Sequence, residues 1–297
     1  MKTLLTGASG FVGGFMQRRI DCIPMSRAGR EVDLRDVDGV RLLVEEVRPD
    51  AVIHLAAQSF VPASFERPVE TFDINFSGTL NLLLALKDSG FQGRMLFVGS
   101  GDTYGLVSES RLPVTEEQPL RPRSPYSVSK VAAEALCYQW SQTESFTLAM
   151  TRSFNHIGPE QSERFAVSDF ARQVIQIKMG RREPVLSVGD IDVTRDFTDV
   201  RDATAAYALL LERGCNGESY NVCSGVEHSL RSVLERLLQL ANVEARIERD
   251  AARLRTFEQR RMRGSYEKLH QDTGWEPTIT LDQSLKDILQ NWEQRLS

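Results

Sequence analysis

The stretch that most limits how this chain folds lies at its start. "KTLLTGASGFVGGF" is a short apolar run, then a turn spaced by Gly7, Gly10 and Gly13, then residues at helical spacing. An apolar run of strand length, broken by glycine and followed by a helical period, reads as strand, tight turn and helix. Glycines at such a turn let the backbone approach a diphosphate, and the N-terminus of the following helix faces the negative charge. A glycine triplet alone is a weak signal. Its position directly after the first strand favours phosphate binding over a plain glycine-rich turn.

The rest of the first half keeps the same alternation. "CIPMSR", "DAVIHLAA", "RMLFVGS" and "FTLAMTRSF" read as strands; "DGVRLLVEEVRP", residues 70–89 and residues 124–142 read as helices. Continuous apolar strands alternating with helices predict an α/β fold with a doubly wound parallel sheet covered on both faces. Beyond residue 155 the rhythm breaks into amphipathic helices with occasional strands, and residues 244–265 form a basic run without a clean apolar period. With no linker or repeat, the expectation is a smaller α/β substrate-binding lobe interwoven with the first. Residues 1–157 and 190–222 are assigned to the sheet domain, and 158–189 and 223–297 to the lobe.

The chain has 297 residues and a net charge of -5, which leaves no global nucleic-acid footprint. Cys22, Cys137, Cys215 and Cys223 show no metal-binding spacing, so no metal is expected and reduced thiols are. No segment approaches the roughly 18 apolar residues that span a bilayer, and the start is too short for a signal peptide. A cytoplasmic protein without a membrane partner is the expectation.

"RPRSPYSVSKVAAEA" supplies the chemistry. Ser124 can cap a helix and Pro125 suits its first turn. Tyr126 and Lys130 then lie one turn apart on one face. Ser100 follows the strand "MLFV", where ligands of doubly wound sheets bind. Tyr-x-x-x-Lys arises often by chance, so the pair alone could be a surface feature.

The ordered set "TGASGFVGG", "DLRD", "HLAAQS", "GSGDTYG", "SPYSVSK", "SFNHIGPEQ" and "RDFTDVRD" resembles the extended, sugar-nucleotide-modifying branch of the short-chain dehydrogenase/reductase family over most of the chain. That resemblance implies a Rossmann-type cofactor domain. Gly7, Ser9, Gly10, Phe11, Val12 and Gly13 would meet the cofactor's pyrophosphate, Asp33 and Leu34 its adenine, and Leu55, Ala56 and Ala57 its passage over a strand end. Asn75 would support the active-site backbone beside the cofactor. It further implies a catalytic set of Ser100, Tyr126 and Lys130, with Lys130 tuning Tyr126 toward phenolate and holding the nicotinamide ribose. The second strand lacks an acid at its end, whereas Arg27 there would suit a 2′-phosphate; NADP(H) is favoured and NAD(H) stays open.

The substrate side is read the same way. Asn155 and Arg195 match family sugar-nucleotide contacts, and Ser59, Ser64 and Asp102 are further candidates. "ARLRTFEQRRMRGSYEKLHQDTGWEP" resembles GDP-sugar members, with Arg253 and Arg255 for the diphosphate and Glu258 for guanine, although Thr256 and Ser265 depart from the pattern. The implied activity is reduction of the C4 keto group of GDP-4-dehydro-6-deoxy-D-mannose to GDP-D-rhamnose. The alternative is a GDP-mannose 4,6-dehydratase or another nucleotide-sugar epimerase or dehydratase. A dehydratase needs a Glu two places after the active-site hydroxyl, where this chain has Asp102. The resemblance also implies a homodimer through the helices near 70–89 and 124–142.

Overall fold

The computed structural model describes residues 1–27, 29–253 and 259–297, with the side chains of Arg27 and Arg253 outside that description. Six strands form the central sheet: β1 (Thr3–Thr6), β2 (Ile23–Pro24), β3 (Ala51–His54), β4 (Arg94–Val98), β5 (Thr147–Ser153) and β6 (Ser219–Val222). Their order is β6-β5-β4-β3-β1-β2, and every pairing is parallel. The chain reverses direction of addition between β1 and β3, which opens a crevice at the carboxyl ends of those strands. The expected doubly wound α/β sheet is present.

Successive strand residues face opposite sides, and the two faces carry separate cores. Leu4 packs with Leu82, Leu86, Phe97, Trp140 and Leu148 on one side. Leu5 packs with Ile53, Leu96, Tyr207, Leu210 and Trp275 on the other. β1 and β3 are buried at every position, and their apolar centres Leu4–Leu5 and Val52–Ile53 are what the sequence shows as strands.

The second part has its own core. Phe170 and Val174 of the helix Ala166–Lys178, Leu234 and Leu237 of Leu230–Ala241, and Ile288 and Trp292 of Leu281–Leu296 enclose it. A three-stranded sheet (Glu227–Ser229, Thr194–Asp199, Asn155–Ile157) and a parallel pair (Val185–Val188 with Arg246–Arg249) join it to the crevice.

Three elements differ from their sequence expectation. "CIPMSR" gives only two residues to the sheet, at its edge, with Met25 donating to the Leu5 carbonyl beyond them; Ser26–Arg27 then pairs with Arg30–Glu31 as a small ribbon. The basic run contains the strand Arg246–Arg249, where only Ile247 is partly buried. An edge strand with most of its side chains in solvent has no apolar alternation to read. The helix near 70–89 begins at Pro68 and widens into a π turn over Asp73–Ser77 before continuing to Asp88. Such turns arise where a helix is distorted for local packing or function, and this one carries Asn75.

Candidate active site

Gly7 follows β1, and its φ of +67° and its contact with the segment after β3 (an added Cβ would sit 2.8 Å from the Ala56 amide nitrogen) both require glycine. The helix Phe11–Arg19 starts from Gly10 without a side-chain cap. Its first amides therefore face the crevice with no intrahelical acceptor. An added Cβ at Gly10 would meet only the Gly7 carbonyl at 3.3 Å, so this face is open. An uncapped helix N-terminus beside an open glycine turn fits a pyrophosphate.

Around that cradle the predicted residues fall into distinct places. Phe11 and Val12 are half-buried, with Phe11 edge-on to Phe15 and Val12 packed into the core. Leu55, Ala56 and Ala57 follow β3, half-buried at its carboxyl end. Leu34 is buried, and Asp33 is exposed with its carboxylate 2.6 Å from Arg35. Ser9 is exposed and donates to Glu31 at 2.6 Å. Sequence reading passed over Glu31; it lies beyond the end of the second strand and only the ribbon folds it back onto the glycine turn.

Asn75 lies beneath the crevice. It is buried, its Oδ1 accepts from the Gln58 amide at 2.8 Å, and its Nδ2 donates to the Gln58 carbonyl and the Ser129 hydroxyl. It braces backbone, as the resemblance implies, and has no side-chain donor turned to a cofactor. A second brace was not foreseen. The Ala56 amide donates to Thr6 Oγ1, Thr6 contacts His54 Nδ1 at 2.7 Å, His54 Nε2 contacts Thr79 Oγ1 at 2.9 Å, and Thr79 donates to the Asn75 carbonyl. Because the Thr79 hydroxyl gives its proton to Asn75, His54 must donate from Nε2 and accept at Nδ1. The chain ties β1, β3 and the π turn together under the crevice.

His54 is pushed down to about 3 by burial and by the Lys130 charge, and His156 to about 4 by burial. Both stay neutral when folded, while the unfolded chain takes up protons near 6.5. Their full contribution to stability is present above pH 6.5. Below it, each loses about 1.4 kcal/mol per pH unit until its folded value is reached. Urea unfolding at pH 7 and pH 5 should therefore show a marked fall in unfolding free energy; a flat profile would contradict buried neutral imidazoles.

The helix Pro125–Thr143 starts as its sequence requires. Ser124 and Ser127 form a capping box, and Pro125 occupies the first turn. Tyr126 and Lys130 are both buried on its inner face. Ser100 lies just past β4 and caps the short 3-10 turn Gly101–Tyr104, its Oγ accepting from the Asp102 amide at 3.2 Å. With that lone pair engaged, the Ser100 proton is free to be donated.

The electrostatics differ from expectation. Burial, and secondarily the Asp102 carboxylate, push the Tyr126 phenol well above its ordinary range, with the nearby Ser100 hydroxyl opposing the rise. The Lys130 side chain is held by backbone and an aromatic ring. Its ammonium donates to the Val98 carbonyl at 2.7 Å, lies over the Phe97 ring, and is pushed down to about 8 by burial. Burial thus favours the protonated phenol at Tyr126.

On the substrate side, Ser59, Asp102 and Asn155 are exposed. Ser64 is a correction: it is wholly buried, and its hydroxyl donates to the Val61 carbonyl within its own helical turn. A hydroxyl in that position has no access to a sugar. Arg195 donates to the Thr194 and Gln259 carbonyls, fastening the segment that follows residue 258. Arg255 and Glu258 lie outside the described residues, as do the side chains of Arg253 and Arg27.

Residues 27–288 match the family model described as GDP-mannose 4,6 dehydratase. The chain belongs to this family. It is an extended short-chain dehydrogenase/reductase, as its motifs imply. Among family relatives, GDP-6-deoxy-D-mannose reductase of Pseudomonas aeruginosa is 48% identical, across 99% of this chain and 98% of its own. dTDP-glucose 4,6-dehydratase of Haemophilus influenzae is 30% identical, across 97% of each. Among solved structures, RMD from Pseudomonas aeruginosa complexed with NADPH superposes with a TM-score of 0.93 at 47% identity, covering 99% of both chains. UDP-glucose 4-epimerase of Thermus thermophilus in complex with NAD gives 0.86 at 29% identity, covering 98% of this chain and 99% of that one.

Proposed function

We propose that this protein is an NADPH-dependent reductase that converts the C4 keto group of GDP-4-dehydro-6-deoxy-D-mannose to the alcohol of GDP-D-rhamnose. The observation that carries the chemistry is a buried Tyr126 beside the Ser100 hydroxyl, with burial favouring the phenol over the phenolate. A keto reduction needs an acid at the carbonyl oxygen, and this geometry holds one. The 48% identity to a GDP-6-deoxy-D-mannose reductase along nearly the whole chain supports the choice of sugar. Asp102, in place of the longer Glu a dehydratase needs for C5 proton abstraction, supports reduction over dehydration.

NADPH, when bound, supplies the hydride that adds to C4. Tyr126 gives its proton to O4, and Ser100 donates a hydrogen bond to the same oxygen and orients it. The phenolate left on Tyr126 is stabilised by the Lys130 ammonium one turn away, which also holds the nicotinamide ribose, and regains a proton from solvent. Gly7, Ser9, Gly10 and Gly13 hold the pyrophosphate; Asn155, Arg195 and the Arg253, Arg255 and Glu258 set receive the nucleotide sugar. The test is to supply the keto sugar and NADPH to the purified protein and follow oxidation of the reduced nicotinamide.

The division into a cofactor part (1–157, 190–222) and a sugar-nucleotide lobe (158–189, 223–297) belongs to the same proposal. The separate core around Phe170, Leu234 and Trp292 supports it, while Leu269 and Trp275 pack on the sheet and interweave the two. We further propose a homodimer. Val69, Leu84, Val128 and Tyr138 are exposed on the two helical segments the family uses for pairing, with Phe65 exposed on the short helix just before the first, and covering them in a four-helix contact removes apolar surface from water. Sedimentation velocity should show a dimer; a monomer at micromolar concentration would count against it. A cytoplasmic place is supported by four unpaired cysteines, and no helix among the described residues is long and apolar enough to cross a membrane.

A further inference from the structure

A polar cluster lies behind the catalytic pair, and the reaction as derived leaves it without a task. Arg152, on β5, is buried. Its Nη2 donates to Glu134 Oε1 at 2.6 Å and its Nε to the same carboxylate at 3.0 Å. Its Nη1 donates to the Tyr104 hydroxyl at 3.2 Å and to the Glu116 carbonyl at 2.9 Å. Tyr104 in turn donates to Asn221 Oδ1 at 2.6 Å, and Asn221 is fixed by Glu116 and by the Val114 carbonyl. Tyr104 has no measurable exposure.

The placement of these groups gives the cluster its meaning. Glu134 lies on the helix of Tyr126 and Lys130, one turn beyond Lys130. Tyr104 closes the short 3-10 turn that Ser100 opens. Arg152 therefore joins the element carrying the proton donor to the element carrying the hydroxyl that aims the substrate oxygen. A buried polar network whose members bond one another holds its geometry rigidly, and displacing a reacting group by about 1 Å can lower a rate about 10²-fold.

We propose that Tyr104 is a positioning residue: through Arg152 and Glu134 it sets where the Ser100 hydroxyl stands relative to the Tyr126 phenol. It touches neither cofactor nor sugar. Its effect on rate must then pass through Ser100.

That dependence is the test. Tyr104→Phe keeps the ring and removes the hydroxyl. In the full-length NADPH-bound enzyme it should lower kcat for the keto sugar about tenfold and leave the KM for NADPH unchanged. In a Ser100→Ala background the same change should alter kcat by less than about twofold, since coupled sites are not additive. Equal losses in both backgrounds would mark a general structural effect and overturn the proposal, as would no loss in either. Glu134→Gln loosens the same bridge from the helix side and must show the same dependence on Ser100; it stands in if Tyr104→Phe does not fold. The kinetic arm rests on the reductase reading, which wild-type turnover tests by itself. A crystal structure of the Tyr104→Phe holoenzyme needs no substrate: it should show the Ser100 hydroxyl displaced from Tyr126, and an unmoved Ser100 would sink the proposal even if the sugar proved to be another.

Discussion

Tyr126→Phe should lower kcat for the keto sugar by about 10³-fold, within the range that a positioned general acid contributes, while NADPH still binds. The residue is buried at the start of a capped helix, so the ring keeps its packing and only the proton is lost. Without it, O4 must draw a proton from water as hydride arrives. Ser100→Ala should cost about 10²-fold, because it removes one donor to the same oxygen and leaves the acid in place. Steady-state kinetics with a separate measurement of NADPH affinity distinguishes the two roles. A Tyr126→Phe enzyme retaining a tenth or more of wild-type kcat would remove Tyr126 from the reaction. A weakened cofactor affinity with kcat intact would reassign it to binding.

The second large effect concerns the cradle. A Cβ added at Gly13 would stand 2.2 Å from the Gly7 carbonyl oxygen and 2.7 Å from Ala8 Cα. Both neighbours are backbone, so no side chain can swing aside. Gly13→Val must push the helix Phe11–Arg19 off the turn and carry its free amides away from the pyrophosphate. Hydrogen bonds to a charged group are worth about 1.5–3 kcal/mol each, and each 1.4 kcal/mol is tenfold in affinity. Losing two weakens NADPH binding by at least about 10²-fold, readable from the fluorescence of the bound nicotinamide. Gly14→Ala is the control. Its added Cβ would meet nothing within 4 Å, and binding should stay close to wild type. Equal losses in both variants would mean that helix stability, not the close approach at Gly13, governs the site.

What the sequence made legible follows a physical division. Elements buried on both faces announce themselves through apolar centres, as Leu4–Leu5 of β1 and Val52–Ile53 of β3 do. The cap at Ser124, Pro125 in the first turn and the glycine turn at Gly7 were readable because few residue types satisfy them. Tyr126, Lys130 and Ser100 converge because strand end and helix face fix their places. What could not be read depends on contacts between residues distant in sequence. Glu31 reaches Ser9 only through the ribbon. His54 gains its role from Thr6 and Thr79 on two other elements, and Arg152 and Glu134 look like ordinary charges until β5 and the catalytic helix meet. Ser64 shows the converse: its place in a matching motif suggested a sugar contact, but the short helix around it turns the hydroxyl inward. The direction of the Tyr126 shift also escaped sequence reasoning. A lysine one turn away suggested a phenolate, whereas burial dominates and the ammonium rests on the Val98 carbonyl.

The central claim is that Tyr126 acts as an acid in a keto reduction at the end of this sheet. Mixing the purified protein with GDP-4-dehydro-6-deoxy-D-mannose and NADPH tests it most directly. The account predicts one reduced nicotinamide oxidised for each GDP-D-rhamnose formed, with the reaction requiring NADPH at every turnover. Unchanged nicotinamide absorbance, or conversion of GDP-mannose to its 4-keto-6-deoxy product without added NADPH, would contradict it.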